Sequence, residues 1–368
     1  MKSNKLCSCI LTFNEADNYG AMCQAYALST FINTNLCNCM ILNYHNDCVW
    51  SQFHFIPKFK HFLKVKRIIE LLSQSKRRRK FNDFRKMLPL TEKCNRKSVT
   101  AVSEKFDKII VGSDQVWNPK NTEADLTFLL DFCDSRKKIA YAASFGNVNF
   151  FSAFGDKKES LLRDFSWISV RENEGKSFLT NEYGIISRLV LDPTLLIKRD
   201  EWKKVAHFKY SKKYIFVYQL KPDSDFVKSV QSFASKKGLV VVSVPYLLRC
   251  YIQNIFKKNI KTKYSVGPAE FLGLILNAEY ILTDSFHGAA LSIAMQKQFY
   301  VKLNPNKTNT NGRITSLLSL LNIENRTFEH LFDLDIINYD VVSNKLLNEI
   351  NYSKSFLTSA IFGDGTNK

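Results

Sequence analysis

The chain has 368 residues, of which 45% are hydrophobic and 13% aromatic, a composition that supplies large cores and excludes general disorder. At roughly 150 residues per domain, this length predicts two domains. Lys and Arg number 53 against 34 Asp and Glu, which gives a formal net charge of +19. There is no run of about 18 apolar residues and no signal-peptide pattern at the N-terminus, so we expect a cytoplasmic protein.

The first half of the chain alternates apolar strands with amphipathic helices, the pattern of an α/β protein with mainly parallel sheets. A first strand, KLCSCILTF, leads through the polar loop NEADNYG into the helix AMCQAYALSTFI. Later strands run into polar turns in DKIIVGSDQVWNP, KKIAYAASFG and SWISVRENEG. The strand RLVLDPTLLI is stopped by Asp192 and Pro193.

A strongly basic segment, residues 57–86, interrupts this pattern with twelve Lys and Arg against Glu70 and Asp83, a charge of +10. Apolar residues recur there at helical spacing with lysines between them, which predicts a basic amphipathic helix. Such a helix can lie on an anionic membrane surface, or it can pack on the domain with a solvated basic face, and the pattern leaves both open. Nucleic-acid binding is not expected, because no RRM, KH or helix-turn-helix pattern is present.

A second set of elements follows residue 198. The strands KYIFVYQL, LVVVSVP, EYILTD and QFYVKL alternate with helices, and the tail is predicted to be helical from Tyr339 to about Phe362. Gly238 is a predicted helix C-cap, and Pro268 is expected near the first position of its helix. We therefore predict two Rossmann-like domains, residues 1–197, which include the basic segment, and residues 198–368. Ligands bind beyond the carboxyl ends of such strands, so a site is expected in a cleft between the domains.

Three predicted strand-to-helix turns carry polar clusters. Each turn is a potential anion site because of its backbone N–H groups and the helix dipole, although helix caps use the same residue types. The candidate residues are Asn18, Tyr19 and Gly20 in TFNEADNYGA; Ser113, Asp114 and Gln115 in GSDQVWNP; and Asp284, Ser285, His287 and Gly288 in TDSFHG.

Several common motifs are missing. The sequence contains no G-x-G-x-x-G after a strand, no P-loop and no G-x-S-x-G elbow. The nine cysteines include no C-x-x-C pair and are interpreted as small buried hydrophobes. The other histidines show no metal-binding spacing and are interpreted as ordinary residues: His45, His54, His61, His207 and His330.

The motifs NYGAMCQAYAL, DKIIVGSDQVWNP, AYAASFG, SVRENEG, LDPTLL and DSFHGAALSIAMQKQFYV resemble, in order and approximate spacing, those of the polysaccharide pyruvyl transferase family. The resemblance runs from about Thr12 to Leu321. It implies a fold similar to the GT-B glycosyltransferases, with two Rossmann-like domains that face each other across a cleft. It also implies transfer of pyruvate from phosphoenolpyruvate to a sugar diol as a cyclic ketal, with release of phosphate and with neither a metal ion nor a tightly held cofactor.

The residues can be matched to that chemistry. His287 is our candidate general acid/base, because the reaction needs proton transfers near neutral pH, and Asp284 or Asp114 is expected to orient it or an acceptor hydroxyl. Arg171 at a strand end is predicted to clamp a donor oxyanion, unless it only pairs with a nearby glutamate. Arg313, expected at the head of its helix, is a second candidate for anion binding. The remaining turn residues are predicted to bind substrate.

One position departs from the family pattern. Some members carry Arg directly before the aromatic-His pair, where this chain has Ser285. Either the donor anion is bound through Ser285 and backbone N–H groups, or the donor is not phosphoenolpyruvate.

The leading hypothesis is a cytoplasmic pyruvyl transferase that acts on a glycan or lipid-linked oligosaccharide in exopolysaccharide, capsule or cell-wall synthesis, peripheral at the inner face of the membrane. Residues 1–197 are the expected acceptor side. One alternative is a GT-B glycosyltransferase with a nucleotide-sugar donor, which the fold alone does not separate. The other is a non-catalytic membrane-surface scaffold of a polysaccharide assembly complex.

Overall fold

The computed structural model describes residues 6–53, 65–208, 210–245, 260–304, 308–333 and 335–363. The chain forms two compact units. The first comprises Met1–Ile56, Arg85–Ile197 and Leu346–Lys368, and the second comprises Pro57–Phe84 and Lys198–Lys345.

Strands and helices alternate along the whole chain, as the periodicity predicts. In the first half they are β1 Cys7–Leu11, α1 Tyr19–Asn35, β2 Asn38–Tyr44, α2 Asp47–Phe53, α3 Val65–Arg85, β3 Leu90–Cys94, α4 Val99–Ser103, β4 Lys108–Val111, α5 Pro119–Thr122, β5 Lys138–Ala143, α6 Lys158–Arg163, β6 Trp167–Val170, α7 Asn173–Tyr183 and β7 Arg188–Leu189. In the second half they are α8 Arg199–Val205, β8 Tyr214–Gln219, α9 Ser224–Lys237, β9 Val240–Pro245, β10 Ile260–Thr262, α10 Pro268–Asn277, β11 Tyr280–Thr283, α11 Phe286–Ala294, β12 Gln298–Val301, α12 Thr308–Leu320 and α13 Tyr339–Phe362.

The first unit is built on a seven-stranded sheet in the order β3-β2-β1-β4-β5-β6-β7, and the strand pairs are parallel. Helices cover both faces of a parallel sheet, so its central strands are mainly apolar, and every residue of β5 is buried. Because the strands are parallel, the polar turns after β1, β4, β5, β6 and β7 all lie at one edge of the sheet.

The second unit is built on a five-stranded parallel sheet in the order β10-β9-β8-β11-β12. Its central strand β8 is buried along its whole length. Helix α11 follows β11 and is itself almost entirely buried. The turn that joins them therefore lies at the carboxyl edge of the second sheet, next to the end of β8.

The division of the chain falls after Ile197, but two segments belong to the opposite unit from the one we predicted. Most of α3 groups with the second unit, where Lys80 Nζ donates to Ser265 O at 2.8 Å and approaches Glu270 Oε1 at 2.5 Å. The end of α13 groups with the first unit, where Ser353 Oγ accepts a 3.0 Å bond from Leu191 N. Because these side-chain contacts join residues that are far apart in the sequence, the two units do not follow the order of the chain.

The local signals are largely confirmed. Gly238 is the C-cap of α9 at a φ of 63°, Pro268 begins α10, and α13 ends at Phe362. The strand from Arg188 ends at Leu189, before the predicted stop at Asp192 and Pro193, where a short 3₁₀ turn at Pro193–Leu195 begins. One expectation is wrong: α12 begins at Thr308, five residues before Arg313, so Arg313 is not at the head of its helix.

None of the helices in the described part of the chain has both the length and the apolar character needed to cross a bilayer. Residues 57–64 of the basic segment lie outside the described residues, and the described remainder up to Arg85 is helical, as predicted. The cleft between the two units stays a prediction.

Candidate functional site

The carboxyl edge of the first sheet holds a buried ionic cluster, here called the Arg171 cluster: Ser113, Asp114, Arg171, Glu172 and Asp192. Arg171 NH1 lies 2.7 Å from Asp192 Oδ2, and NH2 lies 3.0 Å from Asp114 Oδ1. Glu172 Oε2 is 3.9 Å from Arg171 Nε. Ser113 Oγ donates to Asp192 Oδ2 at 2.9 Å. The cluster therefore joins the ends of β4, β6 and β7.

Arg171 is buried among acidic side chains. Its side chain is 1% exposed. Burial alone lowers the pKa of the guanidinium, but Asp114, Asp192 and Glu172 reverse this and leave the pKa above its ordinary value. Three carboxyl side chains thus surround one guanidinium. Carboxylates of the protein therefore already engage this guanidinium. The predicted clamp of Arg171 on a donor oxyanion stays a prediction.

Asp114 is held in an uncommon backbone conformation, with a φ of 77° and 7% exposure. Its Oδ1 accepts bonds from Arg171 NH2 at 3.0 Å and from the N–H of Gln115 at 2.9 Å. A left-handed φ is tolerated better by Asp than by most residues, and such conformations concentrate at functional sites. Asp114 thus remains a candidate site residue in the first unit, whereas its pairing with His287 stays a prediction.

The neighbouring turn residues mainly shape the backbone. Gln115 Oε1 accepts a 2.8 Å bond from Asn118 Nδ2, and the two amides pack so closely on Gly146 that a Cβ there would collide with them. Asn118 Oδ1 caps α5 through the N–H of Lys120. Gln115 is therefore seen as part of the scaffold of this edge.

The turn before α1 is a helix cap. Asn18 is the N-cap, and its side chain accepts a 3.2 Å bond from Ala21 N, as the pattern predicts. Tyr19 and Gly20 form the buried first turn of the helix, with Tyr19 only 1% exposed. The predicted substrate contact of these residues stays a prediction.

The second polar edge is the start of α11. Ser285 is the N-cap, its Oγ accepts a 3.3 Å bond from Gly288 N, and its own N–H donates to Thr283 Oγ1. Gly288 is required here, because a Cβ at this position would lie 2.6 Å from Thr283 Oγ1. Ser285 is 4% exposed, so its hydroxyl serves the helix.

His287 occupies the second position of α11, since Phe286 is the first residue of the helix. It is 8% exposed, and its ring centroid lies 5.3 Å from that of Phe286. From α12, the guanidinium of Arg313 lies over the Phe286 ring, 6.0 Å from its centroid. The first turn of α11 thus carries a histidine near the positive end of the helix dipole, and an arginine lies over the aromatic ring that precedes it.

Asp284 has partners other than the predicted one. Its Oδ1 accepts a 2.6 Å bond from Leu220 N and its Oδ2 a 3.1 Å bond from Lys221 N, which anchors the loop after β8. Burial raises the pKa of this carboxyl to about 6, and the two backbone bonds only partly offset that shift. Asp284 therefore anchors the edge around α11, and its role in orienting His287 or an acceptor hydroxyl stays a prediction.

Sequence reasoning missed several residues at these edges. Asp192 and Glu172 lie in the motifs LDPTLL and SVRENEG, and no local pattern indicates that both face Arg171 in a buried cluster. Gln24 is fully buried and donates to Thr12 Oγ1 at 2.7 Å, which no local pattern indicates. His45, interpreted as ordinary, pairs with Glu15 at 2.5 Å. Within the described residues, no group of three or more His, Cys, Asp and Glu side chains could hold a metal ion.

Comparison with solved structures identifies the fold. A UDP-N-acetylglucosamine 2-epimerase aligns at 14% identity with a TM-score of 0.50, covering 100% of this chain and 98% of its own. The UDP-GlcNAc 2-epimerase of Methanocaldococcus jannaschii aligns at 14% identity with a TM-score of 0.45, covering 95% of this chain and 92% of its own. The glycosyltransferase SnogD of Streptomyces nogalater aligns at 10% identity with a TM-score of 0.46, covering 97% of this chain and 100% of its own. At these identities the likeness concerns the fold alone, which is of the GT-B type with two Rossmann-like units, as predicted.

Comparison with sequence families is more specific. No curated protein gives a significant match. The family model described as polysaccharide pyruvyl transferase matches residues 18–304, well over half of the chain, and this range includes the Arg171 cluster and the start of α11. The chain therefore belongs to the polysaccharide pyruvyl transferase family.

Proposed function

We propose that the protein transfers the pyruvyl group of phosphoenolpyruvate to two hydroxyls of a sugar and releases phosphate. The product is a cyclic ketal on a glycan or lipid-linked oligosaccharide of exopolysaccharide, capsule or cell-wall synthesis. Family membership supports the reaction class. The observation that supports this donor is the arrangement of His287 and Arg313 at the N-terminus of α11.

The donor carries a phosphate and a carboxylate, so its site needs concentrated positive potential. A helix N-terminus supplies aligned N–H groups and about half a positive charge. Ser285 replaces the arginine that some family members carry at this position, and its hydroxyl is used as the helix cap. Arg313 approaches the same turn from α12, where its guanidinium lies over the ring of Phe286, the residue that precedes His287. We infer that Arg313 supplies the guanidinium that position 285 lacks.

The proton balance of the reaction assigns a task to His287. Two sugar hydroxyls lose their protons as two C–O bonds form to the central donor carbon. One proton goes to the methylene carbon, which becomes a methyl group, and the other leaves with phosphate as the C–O bond to phosphate breaks. A histidine exchanges protons near neutral pH, and a bound dianionic phosphate beside it favours the imidazolium that can deliver one.

Asp114 and Arg171 are assigned a supporting task in the first unit. The buried network holds Asp114 rigidly at the carboxyl edge of the sheet, where it can accept a hydrogen bond from an acceptor hydroxyl. Arg171 is then a positioning residue and does not contact the donor.

The decisive experiment is donor binding. Phosphoenolpyruvate and a panel of UDP- and GDP-sugars are titrated into the protein by calorimetry, and phosphate release is followed with diol-bearing glycosides. We expect binding of phosphoenolpyruvate that competes with inorganic phosphate and weakens roughly 10- to 100-fold in Arg313→Ala. Binding of a nucleotide sugar without binding of phosphoenolpyruvate would replace the proposal with glycosyl transfer, and binding of neither would favour the scaffold alternative.

A further inference from the structure

A second histidine lies at the carboxyl edge of the first sheet, paired with a carboxylate. His45 follows β2, and its Nδ1 lies 2.5 Å from Oε2 of Glu15, which belongs to the loop after β1. The two side chains are 27% and 14% exposed, so the pair is shielded but open to the surface. The contacts of this His-Glu pair described here involve no residue of the Arg171 cluster.

The chain around the pair is fixed from both sides. Arg85 donates to the carbonyls of Asn14 and Glu15 at 2.9 and 2.7 Å and pairs with Asp17 at 2.6 Å, which anchors the loop that carries Glu15. The N–H of His45 donates to Cys94 O at 2.8 Å. This support gives the pair the preorganisation that a binding site needs.

The residues that flank His45 are fixed as well. Tyr44 OH donates to Asp125 Oδ2 at 2.6 Å, and Asn46 Nδ2 donates to the same oxygen at 2.9 Å. His45 therefore lies between two residues that share one half-buried acceptor, which fixes the chain on either side of it.

The second ring nitrogen has an exchangeable partner. His45 Nε2 lies 3.1 Å from Asp47 Oδ1, but the side chain of Asp47 is 98% exposed, and such surface contacts contribute little. A sugar hydroxyl both donates and accepts hydrogen bonds, so it can take the place of Asp47 at Nε2 whichever ring nitrogen carries the proton.

The surroundings have the composition of a carbohydrate site. The ring of Trp50, on α2, lies 6.5 Å from that of His45 at an interplanar angle of 65°, and Trp50 is partly exposed. Lys93 lies 3.7 Å from Glu15 Oε1, and the amides of Asn14 and Asn43 are joined at 3.1 Å beside the pair. An aromatic ring supplies an apolar face, and a few fixed polar groups give orientation, as in small-molecule sites generally.

We propose that Trp50 and the Glu15–His45 pair form the subsite that holds the acceptor sugar, with a sugar hydroxyl hydrogen-bonded to His45 Nε2 and an apolar sugar face on Trp50. The subsite rests on the proposed function, because the sugar that it would hold is the acceptor diol of that reaction. It requires no donor, so sugar binding and donor use can be measured separately.

The test uses the full chain without donor. Saturation-transfer NMR is recorded with methyl β-D-galactopyranoside and methyl β-D-glucopyranoside for the wild type and for Trp50→Ala, Trp50→Phe, His45→Ala and His45→Asn. His330→Ala is the matched control, because His330 forms another His-carboxylate pair, 2.8 Å from Asp333 on the exposed surface of the second unit. Circular dichroism confirms the fold of each variant.

We expect a signal from at least one glycoside with the wild type, His330→Ala and Trp50→Phe. The apparent affinity should fall at least about tenfold in Trp50→Ala and in whichever His45 variant folds, which is about 1.4 kcal/mol. Absence of a signal from the wild type, or equal signals from the wild type and the folded Trp50 and His45 variants, overturns the subsite. Failure of phosphoenolpyruvate binding, with sugar binding intact, would instead count against the proposed reaction.

Discussion

The NH1 atom of Arg171 lies 2.7 Å from the Oδ2 atom of Asp192 in the interior of the first unit, and neither side chain is more than 1% exposed. A buried pair of this kind is costly to break, because removal of one partner leaves the other charge without compensation. Because of this buried pair, we expect substitution of Arg171 to lower the stability of the protein instead of its affinity for the donor.

Arg171→Ala should lower the free energy of unfolding by about 3–5 kcal/mol, measured by urea denaturation at neutral pH. Arg163→Ala is the matched control, since Arg163 pairs with Glu159 at 2.8 Å on the surface, where both side chains are about half exposed. The control should cost at most about 1 kcal/mol. Equal small losses in both variants would mean that the buried network contributes nothing particular.

His287→Ala should lower turnover with phosphoenolpyruvate by roughly 10²–10⁴-fold while the fold is preserved, because one acid/base group contributes about that much. His287→Gln keeps hydrogen-bonding ability but cannot carry a proton, so it should restore little. Phosphate release gives the rate, and thermal unfolding checks the fold. Turnover close to the wild-type rate in either variant would reduce His287 to a helix-end residue.

Arg313→Ala and Arg313→Lys should both raise the KM for phosphoenolpyruvate, since Lys does not reproduce the planar fork of a guanidinium. The expected change is roughly 10- to 100-fold, the cost of one charge-assisted bond to an anion. Arg188→Ala, at an exposed position of the first unit, is the control and should leave the KM unchanged. A KM unaffected by both Arg313 variants would exclude this residue from the donor site.

The raised pKa of Asp284 predicts an unusual pH dependence of stability. Its pKa is about 6 in the folded state, above the ordinary 3.8, so the folded state holds a proton that the unfolded chain releases between about pH 4 and pH 6. The contribution of Asp284 to stability is therefore largest below about pH 4 and falls by about 3 kcal/mol as the pH rises to 6.

Asp284→Asn removes this titration, so the plot of unfolding free energy between pH 4 and pH 6 should slope downward less than that of the wild type. Urea denaturation at several pH values gives the comparison. Asp225→Asn, at an exposed carboxylate near the start of α9, should leave the slope unchanged. Identical slopes for Asp284→Asn and the wild type would contradict the prediction.

The basic segment supplies a test of membrane contact. Lys80 and Arg85 are engaged within the protein, and Arg77 lies over the Phe81 ring, so the substitutions are confined to the exposed Lys76, Arg78 and Arg79. If the segment binds an anionic bilayer, co-sedimentation with phosphatidylserine vesicles should fall steeply with rising salt and be lost when these three residues are changed to Glu.

A triple change of equal charge elsewhere is the control for that experiment. Lys212, Lys213 and Lys236 are exposed on the second unit, and their change to Glu should reduce sedimentation only slightly. Equal losses in the two triple variants would indicate a nonspecific effect of net charge. If binding depends neither on salt nor on these substitutions, the basic residues of α3 form only a solvated face.

The sequence predicts the parts of this protein that depend on neighbouring residues. Hydrophobic periodicity indicates alternating strands and helices, and the caps at Asn18 and Gly238 follow from short-range hydrogen bonding and backbone freedom. The motifs GSDQVWNP and DSFHG place polar side chains at strand ends and identify the family before any coordinates are known.

The partners of those side chains are decided by the tertiary structure. Arg171 meets Asp114 and Asp192, which are 57 and 21 residues away in the chain, and Lys80 meets Glu270 across 190 residues. The physical reason is that these contacts depend on the order of strands in each sheet and on the packing of α3, which periodicity does not specify. A charged residue at a strand end therefore predicts a polar edge, but only the fold decides whether it faces a ligand or, as Arg171 does, three buried carboxylates.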